Sequence, residues 1–238
     1  MIPKAADAAL VEKLAVANRI LYHQGVVDSF GHVSVRHDKS PDHFLLARNM
    51  APALVRREDV LTFDLDGTAL DADGRRVYLE RFIHGEIYRA RPEVQAVVHS
   101  HSPSVIPFGA TRKPLRPIFH MCGFLGEGAG LFEIRDVAGD TDLLVSSNAL
   151  GAALAAALGS RSAVLMRGHG STVVGASLEQ VVYRAVYTEV NARLQMQAMT
   201  LGDVVYLNRS EAAKASATNE AQVPRAWELW QREIGPLE

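Results

Sequence analysis

A single cysteine, Cys122, in 238 residues excludes an intramolecular disulfide and any zinc finger built on thiolates. Long apolar runs are missing too, and none approaches the roughly 20 residues that a membrane-spanning helix needs. Nor is there an excess of one charge. Lys and Arg number 25 against 27 Asp and Glu, a net charge of −2, which gives no basic surplus for nucleic acid or anionic lipid. The opening stretch MIPKAADAALVEK is interrupted by charges where a secretory signal would be apolar, so a cytoplasmic location is expected. Linkers, low-complexity tracts and internal repeats are absent, and residues 1–238 are expected to form one domain with 210–238 as a C-terminal tail. What is present is the ordinary globular mix, 48% apolar and 22% charged. A chain of this length buries enough surface to need no covalent staple.

Periodicity predicts an intermingled set of helices and strands. Leu10, Leu14, Ala17 and Leu21 share one face of a helix over 5–23. Short apolar or alternating runs at His32–Val35, Phe44–Leu46 and Val60–Leu65 predict strands, with Asp-Gly turn signals at 66–67 and 73–74. A helix is predicted over 80–90, ending before Pro92. It is followed by a strand at Val94–Val98 and a short helix at Ser104–Ala110. The Ala-rich run 147–158 predicts a helix ended by Gly159. Strands at Ala163–Met166 and Thr172–Val174 flank the turn Gly168-His169-Gly170. A long helix over 177–201 opens with Ser177 and Gln180 spaced as a capping box. In the tail, helix is expected to be broken at Pro224, with Trp227 and Trp230 packing as core. Hairpin signals outnumber βαβ signals, which predicts a mixed sheet covered by helices.

Three of the nine histidines sit where a metal ion would want them. His99 and His101 close an apolar strand as His-Ser-His, and at a period of two both imidazoles leave the same face. His169 follows another apolar strand between two glycines that permit close backbone approach. Three neutral imidazoles with an open position suit a catalytic divalent ion. From spacing alone, unrelated strand-end histidines remain an equal reading. His23, His37 and His43 lie among polar neighbours and are expected in solvent, while His84 is expected to be structural. Glu80 opens the helix before the His-Ser-His strand. It reads either as a favourable acid at a helix N-terminus or as a fourth ligand and acid/base beside the ion.

Taken in order, Gly31-His32-Val33-Ser34-Val35-Arg36, Glu80 four residues before His84, Ile87-Tyr88-Arg89-Ala90-Arg91-Pro92, Val97-Val98-His99-Ser100-His101-Ser102 and Arg167-Gly168-His169-Gly170 resemble the class II aldolase/adducin family. The order and spacing hold over nearly the whole chain. This resemblance implies an α/β fold, a three-layer α/β/α sandwich around a mixed, mostly antiparallel sheet. It further implies a homotetramer with active sites at subunit interfaces. It places metal ligands at His99, His101 and His169, and at Glu80 an acid/base that also touches the metal.

The departures from the family pattern bear on substrate. Phosphate-binding members carry a Ser/Thr–Gly loop after the second strand and paired serines before the acidic residue. Here those places read Ala47-Arg48-Asn49-Met50 and Tyr78-Leu79, which removes the case for a phosphorylated substrate. His32 replaces the family's usual Asn, and His120 falls where the aldolases place a tyrosine that enters a neighbour's site. Arg48 suits a carboxylate, which its planar fork pairs in bidentate fashion, although a solvated loop arginine is nearly as good a reading. His32 and His120 are candidates for a hydrogen bond to carboxylate or for proton relay, or else packed interface histidines.

The branch implied is that of metal-dependent decarboxylases of hydroxylated aromatic dicarboxylates, with no nucleic-acid or membrane partner. Decarboxylation is formally a retro-aldol with carbon dioxide as the departing fragment, and the ion stabilises the enolate left behind. The expected substrate is 3-hydroxy-2-methylpyridine-4,5-dicarboxylate, losing its 4-carboxylate in vitamin B6 degradation. The expected ion is Mn²⁺, with Zn²⁺ or another divalent metal also fitting the ligands. Dihydroxyphthalate or an unphosphorylated aldol are the alternatives within enzymes. Outside them stands an adducin-like, metal-free interaction module.

Overall fold

Strands β1 (His32–Arg36), β2 (His43–Ala47), β3 (Val60–Asp64), β4 (Ala96–Ser100), β5 (Gly130–Phe132), β6 (Ala163–Met166) and β7 (Gly170–Gly175) form one sheet in the computed structural model. Their order is β3-β2-β1-β4-β7-β6-β5. Every neighbouring pair is antiparallel except β5 and β6, which run parallel. The structure describes residues 4–111 and 113–237; the first three residues of the opening stretch and the last of the tail lie outside them.

Helices α1 (Ala8–His23), α2 (Arg81–Ala90), α3 (Ile106–Ala110), α4 (Arg135–Ala138), α5 (Asn148–Leu158), α6 (Leu178–Leu201), α7 (Arg209–Glu220) and α8 (Val223–Ile234) surround the sheet. The pleat explains the layers, because alternate residues of each strand face opposite sides. Val33, Val35, Ala96, Val98 and Val173 meet Leu14, Ile20 and Leu21 of α1 and Val181, Val182 and Ala185 of α6. Phe44, Leu46, Val97, Val164 and Val174 meet Ile83 and Ile87 of α2 and Leu154 and Leu158 of α5. The result is a seven-stranded mixed, mostly antiparallel sheet with helices on both faces.

Local chemistry accounts for most boundaries. Asp7 accepts the Ala9 amide at the start of α1, Ser147 the Leu150 amide at α5, and Ser177 the Gln180 amide at α6. The capping box expected at α6 is displaced by one residue, since the Gln180 side chain accepts from the Ala176 amide at 2.6 Å rather than from Ser177. Pro224 does not break the tail helix. It lies in the first turn of α8, where a missing N–H costs nothing. Trp227 and Trp230 of that helix join the core formed with α1 and α6, as expected.

β4 runs two residues later than the sequence suggests, so His99 lies inside the strand and His101 just beyond it. β5, three residues long, carries too little pattern to be read from sequence. The turn at Asp66-Gly67 closes only one isolated bridge, Phe63 to Ala69, because the Asp71 and Asp64 side chains take the Thr62 and Thr68 amides. His37 is buried rather than solvated, its Nδ1 accepting from the Lys39 amide at 3.1 Å.

Candidate active site

Glu80, His99, His101 and His169 converge from separate parts of the chain. Each offers a ligand atom, and these atoms all lie within 4.8 Å of one another. His99 comes from the middle of the sheet and His101 from just past the end of β4. His169 sits in the turn from β6 to β7, where Gly168 takes φ +67. At Gly170 a methyl group would run into the Ser100 carbonyl, so only glycine lets this turn close over β4. That approach brings His169 Nε2 to 2.9 Å from His101 Nε2.

Glu80 occupies the residue before α2, yet its side chain does not cap the helix. Oε1 accepts the Val145 amide at 2.9 Å, which turns Oε2 toward the histidines. Oε2 is 3.4 Å from both His99 Nε2 and His169 Nε2. Glu80 thus stands at the helix N-terminus, while its carboxylate makes its hydrogen bond to the Val145 loop and turns to the histidines.

The outer nitrogens fix which lone pairs face inward. His99 Nδ1 donates to the Ser171 carbonyl at 3.1 Å and His169 Nδ1 to the Leu143 carbonyl at 3.0 Å. In the neutral rings the hydrogen is then on Nδ1, and Nε2 is left as a lone pair, the usual arrangement of metal-ligating imidazole. Buried His99 Nε2 has no hydrogen-bond partner among the described residues, an orphan that a cation would satisfy. Three imidazoles and one carboxylate are a donor set for a divalent ion, and the residues present fit one.

Electrostatics agree with this geometry. Burial opposes ionisation of Glu80, but His99 and His169 beside it hold the carboxyl well below the usual carboxylate range. Burial, then the neighbouring His99 and His169, push His101 down to about 4. Burial also keeps His32 well below its ordinary value, with His84 and His99 acting in the same sense. His169 moves the other way: burial lowers it, but the hydrogen bond and charge of Glu80 raise it above its ordinary value.

A cavity of about 360 Å³ opens over the cluster. Glu80, His99 and His101 line it together with His32, Tyr78, Phe30, Leu79, Asn49 and Met50. The segments that replace the family's small hydroxyl residues therefore form an apolar and aromatic wall. His32 lies with its ring centre 4.5 Å from that of Tyr78 and 5.1 Å from that of His99.

Two other expected site residues lie elsewhere. Arg48 does not line the cavity, and its Nε is bound to Asp59 Oδ1 at 2.6 Å. His120 begins a short 3₁₀ turn and lines a second cavity with Tyr183, Tyr187, Arg225 and Trp230, away from the Glu80 cluster of its own chain. Sequence reasoning missed the loop Leu143–Val145, which supplies the Leu143 carbonyl, the Val145 amide and the Leu144 side chain to the site. Leu143 adopts φ +70, a strained conformation for a non-glycine residue held at a functional position. No pattern in the sequence marks that loop.

Comparison with known proteins bears on the whole arrangement. The family model described as Class II Aldolase and Adducin N-terminal domain matches residues 12–196. The chain is 39% identical over 239 aligned positions to Decarboxylase tropJ of Talaromyces stipitatus, covering 90% of each chain. It is 33% identical over 209 positions to 3,4-dihydroxyphthalate decarboxylase of Arthrobacter keyseri, covering 80% of this chain and 79% of that one. Among solved structures, L-fuculose 1-phosphate aldolase from Glaciozyma antarctica superposes with a TM-score of 0.78 at 27% identity, over 98% of this chain and 93% of that one. The family match spans well over half the residues and contains all four members of the cluster, and the chain belongs to the class II aldolase and adducin family.

Proposed function

We propose that this protein is a divalent-metal-dependent carboxy-lyase that removes one carboxylate from a hydroxylated aromatic dicarboxylate, with a dihydroxyphthalate-type benzene ring as its preferred substrate. The observation that carries this reading is the Glu80–His99–His101–His169 cluster at the base of an apolar, aromatic-walled cavity. The names of the relatives, Decarboxylase tropJ and 3,4-dihydroxyphthalate decarboxylase, favour a benzene ring over the pyridine ring expected from the sequence. A complete donor set is unneeded in an interaction module and supports an enzyme. His99, His101, His169 and Glu80 would hold the ion, Mn²⁺ or Zn²⁺ being the fitting choices, and it would supply Lewis acidity toward adjacent substrate oxygens.

The chain's own residues supply the rest. Tyr78, Phe30, Leu79 and Met50 give a flat ring apolar and aromatic walls to lie against. His32 faces the same cavity as a hydrogen-bonding group. Glu80 Oε2, ionised before substrate enters, takes the proton of the ring hydroxyl. It then returns that proton to the ring carbon bearing the carboxylate. The bond from this carbon to the carboxylate breaks, its electron pair restores the aromatic ring, and carbon dioxide leaves. One proton from solvent completes the phenol, so each turnover replaces a carboxylate by hydrogen. Arg48, paired with Asp59 outside the cavity lining, has no part in this step.

The reading extends to assembly. His120 lies away from its own chain's cluster, and a homotetramer with active sites at subunit interfaces would bring it to a neighbour's. Packing of Trp227 and Trp230 into the α1/α6 core supports residues 1–238 as one domain.

Turnover in D₂O tests the reaction class. Metal-loaded protein offered 3,4-dihydroxyphthalate, the hydroxypyridine dicarboxylate and an unphosphorylated aldol should release carbon dioxide from the phthalate and leave one deuterium on the vacated ring carbon. Cleavage of the aldol alone would assign a different reaction to the site.

A further inference from the structure

Behind His32 runs a line of buried polar groups that the mechanism above does not use. His32 Nδ1 lies 2.7 Å from His84 Nε2. His84 Nδ1 lies 2.6 Å from Ser34 Oγ, and Ser34 Oγ lies 2.8 Å from the Tyr88 hydroxyl. His84, Ser34 and Tyr88 are buried, so every hydrogen in the line needs an acceptor within it. Ser34 Oγ is the one acceptor that the Tyr88 hydroxyl finds among the described residues, the Val97 backbone beside it acting as a donor.

Counting hydrogens leaves one arrangement. If Ser34 donates to Tyr88, the phenol hydrogen has no acceptor. If Tyr88 donates to Ser34 while His84 Nδ1–H also donates there, the serine hydrogen has none. A cationic His84, donating from both nitrogens, fails the same count. Only Tyr88 donating to Ser34, Ser34 to His84 Nδ1, and His84 Nε2–H to His32 Nδ1 satisfies every group. A neutral His32 that accepts on Nδ1 carries its hydrogen on Nε2, the nitrogen left for the cavity that its ring lines.

We infer that His84, Ser34 and Tyr88 are positioning residues that hold His32 as the Nε2–H tautomer, presenting the cavity with a fixed hydrogen-bond donor for an anionic oxygen of the substrate. The identity of that oxygen rests on the function proposed above; the tautomer does not. The assignment also accounts for a feature of the cluster. His32 pairs with His99 across β1 and β4, yet it stands outside the metal-ligand group. With hydrogen on Nε2 and a hydrogen bond into Nδ1, it has no lone pair to offer an ion.

The test is ¹⁵N spectroscopy of the full-length, histidine-labelled protein in the presence of diamagnetic Zn²⁺, with His32→Gln used to assign the resonances. Nδ1 of His32 should be unprotonated and accept a hydrogen bond, and Nε2 should carry hydrogen. Ser34→Ala cuts the line, so His32 should become a tautomer mixture and kcat/KM on 3,4-dihydroxyphthalate should fall about tenfold. Ser34→Thr, which keeps the hydroxyl, should restore the single tautomer. Hydrogen found on Nδ1 in the wild type would overturn the inference, as would an unchanged tautomer in Ser34→Ala. The wild-type spectrum needs no substrate, so a protein with the expected tautomer and no carbon dioxide release refutes the substrate reading alone.

Discussion

The two faces of the central strands are made by different physics from the same backbone. Toward α1 and α6, strands β1, β4 and β7 present Val33, Val35, Ala96, Val98 and Val173, a dry face held by burial of apolar surface. Toward α2, the intervening positions present His32, Ser34 and His99, with His84 and Tyr88 of α2 above them. Stability on the first face depends on volume and is tolerant of chemistry. On the second it depends on each polar atom having a partner, because an unpaired buried group costs about 1–3 kcal/mol. The site lies on the second face, and the first is the rigid backing that fixes its strands.

Changes on the polar face should cost function, and the largest loss is expected at Glu80. Glu80→Gln should retain the metal yet lose on the order of 10²–10⁴ in kcat, read from carbon dioxide release alongside metal analysis of the dialysed protein. Turnover like the wild type in that variant would remove Glu80 from the mechanism. His169→Ala should instead weaken metal affinity by more than about a hundredfold, visible by competition with a chelator. On the dry face, Val98→Ala should lower stability by about 2 kcal/mol in urea unfolding while kcat stays at the wild-type value. A fall in kcat there would erase the distinction between the faces.

Acid separates the faces more gently. Burial first, then nearby His99, pushes His84 down to about 3, whereas an unfolded chain protonates histidine near its ordinary value of 6.5. Below 6.5 the unfolded state binds more protons, so stability should be full above that pH and decline as pH falls toward 3. The urea midpoint measured between pH 7.5 and 4.5 should drop, and His84→Gln should flatten that slope where Val98→Ala leaves it unchanged. The smallest effect is expected at the mouth of the cavity. Phe30 is 66% exposed, and Phe30→Ser should raise KM about fivefold with little change in kcat.

The sequence made some of this legible because it rests on strict periods. His99 and His101 share a side because strands alternate, and glycines at 168 and 170 flag the close turn that carries His169. Two further signals were present: His32 and Ser34 two apart on β1, and His84 and Tyr88 four apart on α2. Each pair shares a face by the same periodic logic, but nothing in the sequence says that the faces meet. Arg48 illustrates the reverse failure. Its side chain suits a carboxylate, and the structure supplies one from within the chain, Asp59, eleven residues away. The loop through Leu143, with its left-handed backbone, has no periodic signature and is held by tertiary contacts to His169 and Glu80.

The most direct test of the central claim is the initial rate of carbon dioxide release from 3,4-dihydroxyphthalate, measured after exhaustive chelation and again after Mn²⁺ is restored. The expected result is release that stops on chelation and returns with the metal. A protein that binds the ion at the Glu80 cluster and still releases no carbon dioxide would contradict the account.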